Sequence, residues 1–233
     1  MPNDISPLRR RTFFGRLATG MAAIGTAVSA STAEAQPATD RDRWEAERHP
    51  QDDWFDQLPG KHRYFFDTSS ANGAGEAITF ASNYFAGNKS GYGLEPADLA
   101  VVICLRHSST PLAYTDEIWA KYGAIFADRM KFNDPKTNAP PTVNVYQQSG
   151  YGMALPNRGT TFDMLVKRGV HFAVCDMATR AYAGIIAGKL SLKTEEVYEE
   201  LKANNVGNSH FVPAGIIAVN RAQERGYSIV SMH

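Results

Sequence analysis

The chain predicts an α/β fold: a three-layer α/β/α sandwich around a five-stranded, mostly parallel sheet. Two observations carry this expectation. From Lys61 to the end, short β-rich runs alternate with helical stretches, the pattern of strand–helix–strand units. Within it, Leu99-Ala100-Val101-Val102-Ile103-Cys104-Leu105 is apolar without a break, as befits a strand covered on both faces.

Each element has its own warrant. Residues 63–67 (Arg-Tyr-Phe-Phe-Asp) read as the first strand, followed by turn residues 69–75. Residues 76–88 read as a helix that places Ile78, Ala81 and Phe85 on one face. Residues 99–105 form the second strand, and residues 115–126 the next helix, with Thr115 as N-cap. Residues 133–158, rich in Pro, Asn, Gln and Gly, exceed the usual length of loops in compact domains and are expected to form a lid or binding loop. Thr160 and Thr161 cap a helix through Arg168 that Gly169 closes. Strand 171–175, helices 180–189 and 194–204, strand 210–213, helix 214–225 and strand 227–231 complete the series.

The first 35 residues read as an export signal rather than as part of the fold. Arg9-Arg10-Arg11-Thr12-Phe13-Phe14 precedes a weakly apolar run, and Ala33-Glu34-Ala35 supplies a small-x-small cleavage site. The pair Arg10-Arg11 with Thr12 and Phe13 resembles the twin-arginine signal. Gly20, Gly25, Thr19, Thr26 and Ser29 leave no run apolar enough for a stable membrane anchor. Cleavage after Ala35 would start the mature chain at Gln36, and the expected location is the periplasm. Residues 36–60 are polar, with three prolines and the aromatics Trp44, Trp54 and Phe55. They are expected to form an N-terminal arm, partly helical over residues 40–48, held to the 61–233 domain by its tryptophans.

Composition narrows the function. The formal net charge is zero and no basic block of the kind that tracks phosphates occurs, which argues against nucleic acid as a partner. No GxGxxG or GxxxxGKS loop follows a strand, and no CxxC, HxxxH or HExxH spacing is present, so neither a nucleotide cofactor nor a dedicated metal site is expected. Two cysteines, Cys104 and Cys175, are too few for a disulfide scaffold, and whether they pair is left open.

The candidate chemistry centres on Gly169-Val170-His171-Phe172-Ala173-Val174-Cys175-Asp176, a short buried strand ending on a cysteine. Ligands gather at the carboxyl ends of parallel strands, so a thiol there combines reach with a rigid backbone. Cys104-Leu105-Arg106-His107 closes the second strand in the same way. If the two strands are neighbours, Arg106, His107, Cys175 and Asp176 meet on one rim, where a cation or imidazole would favour the thiolate. Arg180 would stand in the first turn of the next helix and add positive charge beside that helix's N-terminus. Cys104 lies deeper and reads as a packed core thiol. His62, His171 and His210 fall at the opposite ends of their strands. Tyr114, Trp119 and Tyr122 form an aromatic helix side suited to core or subunit interface.

Three stretches together resemble the DsrE/DsrF-like family. They are 165–175, a helix running through Gly169 into a strand that ends in Cys175; Phe211-Val212-Pro213-Ala214-Gly215-Ile216-Ile217-Ala218-Val219, a VPAG strand-to-helix turn; and Ala222-Gln223-Glu224-Arg225-Gly226-Tyr227, which closes into the last strand. The resemblance implies a five-stranded parallel sheet, homo- or hetero-oligomers and, in sulfur-relay members, a persulfide on the cysteine that matches Cys175, with a basic residue where Arg180 stands. The signal, the arm, residues 106–123 and residues 133–158 are not features of the cytoplasmic carriers and resemble an exported subgroup. The reading that follows is a periplasmic carrier of sulfane sulfur on Cys175, aided by Arg106, His107 and Arg180 and covered by residues 133–158. It would act stoichiometrically with a donor or acceptor protein more than as a turnover enzyme. The residues leave open a small-ligand, metal or haem module using the His107/Cys175 rim, and an oligomeric scaffold.

Overall fold

The computed structural model describes residues 45–233; the signal residues 1–35 and Trp44 of the arm lie outside them. Five strands, β1 (His62–Thr68), β2 (Leu99–Leu105), β3 (His171–Cys175), β4 (Ser209–Val212) and β5 (Ser228–Met232), form one sheet in the order β4-β3-β2-β1-β5. Every pairing is parallel. Seven α-helices among the described residues join or flank them: α1 (Trp54–Gln57), α2 (Ala71–Tyr92), α3 (Asp116–Met130), α4 (Phe162–Val166), α5 (Asp176–Leu190), α6 (Thr194–Ala203) and α7 (Gly215–Glu224). The protein is an α/β sandwich of three layers, as its alternating sequence implies.

The alternation of β2 divides the core. Val101, Ile103 and Leu105 pack with Phe172 and Val174 beneath α2 to α6, whereas Ala100, Val102 and Cys104 pack with Phe65 and Ala173 against α1 and α7. All seven β2 residues are buried, which is why that strand carries no polar residue. The chain steps across the sheet from β1 to β4 in one direction, and right-handed crossovers keep those helices on one face. The return from β4 to β5 runs the other way, so the same handedness puts α7 on the opposite face. The connections after β3 and β4 therefore leave toward opposite faces, which opens a crevice between their carboxyl ends.

Two helices begin earlier than the sequence suggests. α2 starts at Ala71, not at 76, and the hydroxyl of Ser70 accepts the Gly73 N–H at 3.0 Å. The glycines that read as a turn are there for close approach: a Cβ on Gly73 would lie 2.6 Å from the Met232 carbonyl oxygen. α5 starts at Asp176, not at 180, because Cys175 itself is the N-cap.

The described part of the arm, residues 45–60, is not helical over 45–49. Phe55 is its anchor, fully buried against Phe65 and Tyr227. Tyr227 also donates its hydroxyl to the Phe55 carbonyl at 2.7 Å. Trp54 stacks on His210, with ring centroids 4.0 Å apart.

Candidate functional site

Strand order decides whether the two rim segments meet. β2 and β3 are neighbours, with Cys104 opposite Ala173 and Leu105 opposite Val174. Continuing that register by one residue brings Arg106 alongside Cys175. Both line a cleft of about 440 Å³ together with His107, Ser108, Arg129, residues on the first three turns of α5, and Ala214, Gly215 and Ile216 at the start of α7. The cleft occupies the crevice between the carboxyl ends of β3 and β4, and its volume falls in the range of small-molecule sites.

Cys175 sits at the floor, 7% exposed. Its sulfur accepts the Ala178 N–H at 3.4 Å, so the first turn of α5 directs a backbone dipole at it. The Met177 N–H donates to the Pro213 carbonyl at 3.3 Å and ties the two walls together across the crevice.

Arg106 is fixed by Asp67, whose buried carboxylate accepts from Nε at 2.6 Å and from a terminal guanidinium nitrogen at 2.8 Å. Ser231 adds a third donor to Asp67 at 3.1 Å. The bidentate pair and its charge raise the Arg106 pKa further. Gly215 makes the room: a Cβ there would stand 2.5 Å from the Arg106 Cβ. The glycine of the VPAG turn therefore serves the arginine of a different strand. The buried hydroxyl of Ser109 accepts the Arg106 N–H at 3.0 Å. His107 follows with φ at +55°, a left-handed conformation uncommon for a residue with a side chain. Its ring is exposed at the rim, Nδ1 3.0 Å from the Ser108 hydroxyl.

Three expectations need correcting. Arg180 does not line the cleft. Because α5 begins at Asp176, residue 180 falls in the second turn, on the face where its Nε meets the Asp176 carboxylate at 3.1 Å and its guanidinium lies 3.8 Å over the Tyr198 ring. Asp176 faces the same way, accepting the Tyr198 hydroxyl at 2.6 Å. Residues 133–158 do not cover the cleft, since none of its lining residues comes from them. Asn144, Val145, Tyr146 and Leu155 of this segment are buried in the core instead, while much of the rest is exposed elsewhere. Asn144 donates to the Leu112 and Tyr114 carbonyls at 2.7 and 2.9 Å, and Tyr146 donates to the Ala71 carbonyl at 2.8 Å.

Cys104 is fully buried, and desolvation, followed by the nearby Asp67 charge, pushes its thiol well above the ordinary range. Both cysteines are free thiols. Tyr114, Trp119 and Tyr122 are buried and belong to the core. Among the described residues no three His, Cys, Asp or Glu side chains are arranged to hold a metal ion, and no helix is long and apolar enough to cross a membrane. The sequence reading omits Arg129, Tyr182 and Asp67. Only Asp67, a carboxylate closing an aromatic strand, leaves a visible sign.

No family model matches the chain, and no curated protein does. Among solved structures, a protein of unknown function, MTH1491 from Methanobacterium thermoautotrophicum, is similar at 12% identity and a TM-score of 0.38, covering 73% of this chain and 99% of its own. A likeness of that degree carries no functional argument.

Proposed function

We propose that the protein carries sulfane sulfur as a persulfide on Cys175, as an exported member of the DsrE/DsrF-like group. The observation that supports this best is the placement of a thiol at the N-cap of α5, on the floor of a cleft and beside a fixed arginine. Attack by the Cys175 thiolate on the outer sulfur of a donor R–S–SH forms Cys175–S–SH. The donor's own S–S bond breaks, and its electron pair leaves on R–S⁻. The transfer needs no outside oxidant. Arg106, clamped by Asp67, supplies a fixed positive charge to the cleft that Cys175 lines. Gain and loss of the sulfur are the same step in opposite directions, which suits a stoichiometric carrier.

Intact mass after incubation with polysulfide tests the proposal. The expected result is a reductant-labile gain of one sulfur atom in the wild type and in Cys104→Ser, absent in Cys175→Ser. Failure of the native wild type to take up sulfur would overturn it.

A further inference from the structure

The shape and lining of the cleft exceed what an inorganic sulfur species requires. Its lining residues Met177, Ala178, Ala181, Tyr182 and Ile185 ascend one side of α5. At 1.5 Å per residue, Tyr182 stands about 10 Å along the helix from Cys175. The wall between them is apolar, and Met177 and Ile216 at the mouth are 67% and 62% exposed.

Two polar groups wait at the far end. Arg129, on the last turn of α3, lines the cleft and pairs with no carboxylate among the described residues. Tyr182 is 6% exposed and packs edge-on against Phe126. Its hydroxyl has no protein hydrogen-bond partner among the described residues and is not among the atoms sealed from solvent, so it is free to bind a ligand in the cleft that Tyr182 lines. Burial pushes the phenol up to about 12, and the nearby Arg129 charge opposes that shift, so the hydroxyl is a neutral donor next to a cation. Such a pair suits a carboxylate.

We infer that the cleft binds an elongated organic thiol with a carboxylate about two helical turns from its sulfur, and that this compound, as its persulfide, is the small-molecule sulfur donor or acceptor of Cys175. The inference rests on the carrier reading for the transfer step, but not for binding. The carboxylate sits at Arg129 and Tyr182, the methylene chain lies along α5, and the outer sulfur reaches Cys175. Transfer then follows the balance given above, with the long-chain thiolate leaving.

The test separates binding from transfer. Calorimetry of Cys175→Ser with ω-mercaptooctanoate should show binding, weakened about tenfold by Arg129→Gln and abolished by Ala181→Trp, which fills the cleft from an exposed helix position. In the wild type, ω-mercaptooctanoate persulfide should load Cys175 at least tenfold faster than mercaptopropionate persulfide, and Arg129→Gln should remove most of that advantage. Equal loading by the two donors, or no binding of ω-mercaptooctanoate, overturns the inference and leaves the carrier reading in place. Binding that depends on Arg129 without sulfur transfer from either donor overturns the carrier reading and upholds the ligand class of the cleft.

Discussion

Asp67, at the end of β1, holds Arg106, beyond the end of β2, by two charge-assisted hydrogen bonds of 2.6 and 2.8 Å. The carboxylate side chain is only 3% exposed and the guanidinium 23%, so the pair is buried on the acid side and open on the cation side. A cation held in this way presents a fixed charge to the cleft without a side-chain search. Removing one partner leaves the other charge uncompensated, which is costly in a partly buried setting. Asp67→Asn is expected to lower unfolding free energy by roughly 2–4 kcal/mol, less than for a wholly buried pair because water reaches the guanidinium. Urea titration would measure it, and a change below about 0.5 kcal/mol, the scale of an ordinary surface substitution, would show that the clamp is not structural.

Gly215 should be intolerant for a reason outside its own helix. A Cβ there collides with the Arg106 side chain at 2.5 Å, whereas one on Gly188 of α5 meets nothing within 4 Å. Gly215→Ala should therefore destabilise by about 1–3 kcal/mol, the usual cost of overpacking. Gly188→Ala should stabilise by about 0.5–1 kcal/mol through helix propensity. Thermal unfolding of the two variants side by side gives opposite signs if the clash is real.

The two thiols should differ sharply toward alkylation. Cys175 opens onto the cleft, while Cys104 is fully buried with its thiol pushed well above the ordinary range. Iodoacetamide on the native protein near neutral pH should modify Cys175 alone, with Cys104 following only in denaturant. Mapping the labelled peptide reads the order directly, and early labelling at Cys104 would contradict the packing of the α7 face.

At the amino end of the sheet, His171 Nδ1 lies 2.8 Å from His210 Nε2. Burial first, and His171 second, lower the His210 pKa to about 4, and burial lowers that of His171. Both rings are thus neutral in the folded state but protonate near 6.5 when unfolded. A depressed folded pKa means that the unfolded chain binds the proton more readily, so stability is full above about pH 6.5 and declines as pH falls toward 4. With both rings only partly buried, the loss should be on the order of 1 kcal/mol after allowance for solvent screening. Melting temperature against pH checks this, and His210→Gln should flatten the profile. Trp54 stacked on His210 supplies a fluorescence reporter for the same range.

Much of the fold was legible because its signals are local. The unbroken apolar β2 and the strand ending at Cys175 needed no tertiary information, since burial on two faces excludes polar residues from a central strand. The start of α2 is hidden in the sequence because Ala71-Asn72-Gly73-Ala74-Gly75 has the composition of a turn. Its small residues answer to the Met232 backbone and to Tyr146, contacts that no window of sequence contains. The role of residues 133–158 is hidden for a related reason. Their polar composition suggested an exposed lid, yet Asn144 and Tyr146 spend their hydrogen bonds on carbonyls of the core.

The sequence by itself determined the alternation of strands and helices, the buried central strand and the thiol at a strand's carboxyl end. These depend on side-chain period and residue type within a few positions of one another. Only the tertiary structure decided that β2 lies beside β3, that Asp67 claims Arg106, that Arg180 turns toward Tyr198, and that Arg129 and Tyr182 share the cleft of Cys175. Those relations join residues tens of positions apart through the order of strands in the sheet and the starting residue of one helix. A helix that starts four residues earlier leaves Arg180 one full turn further from its N-terminus and from the cleft floor.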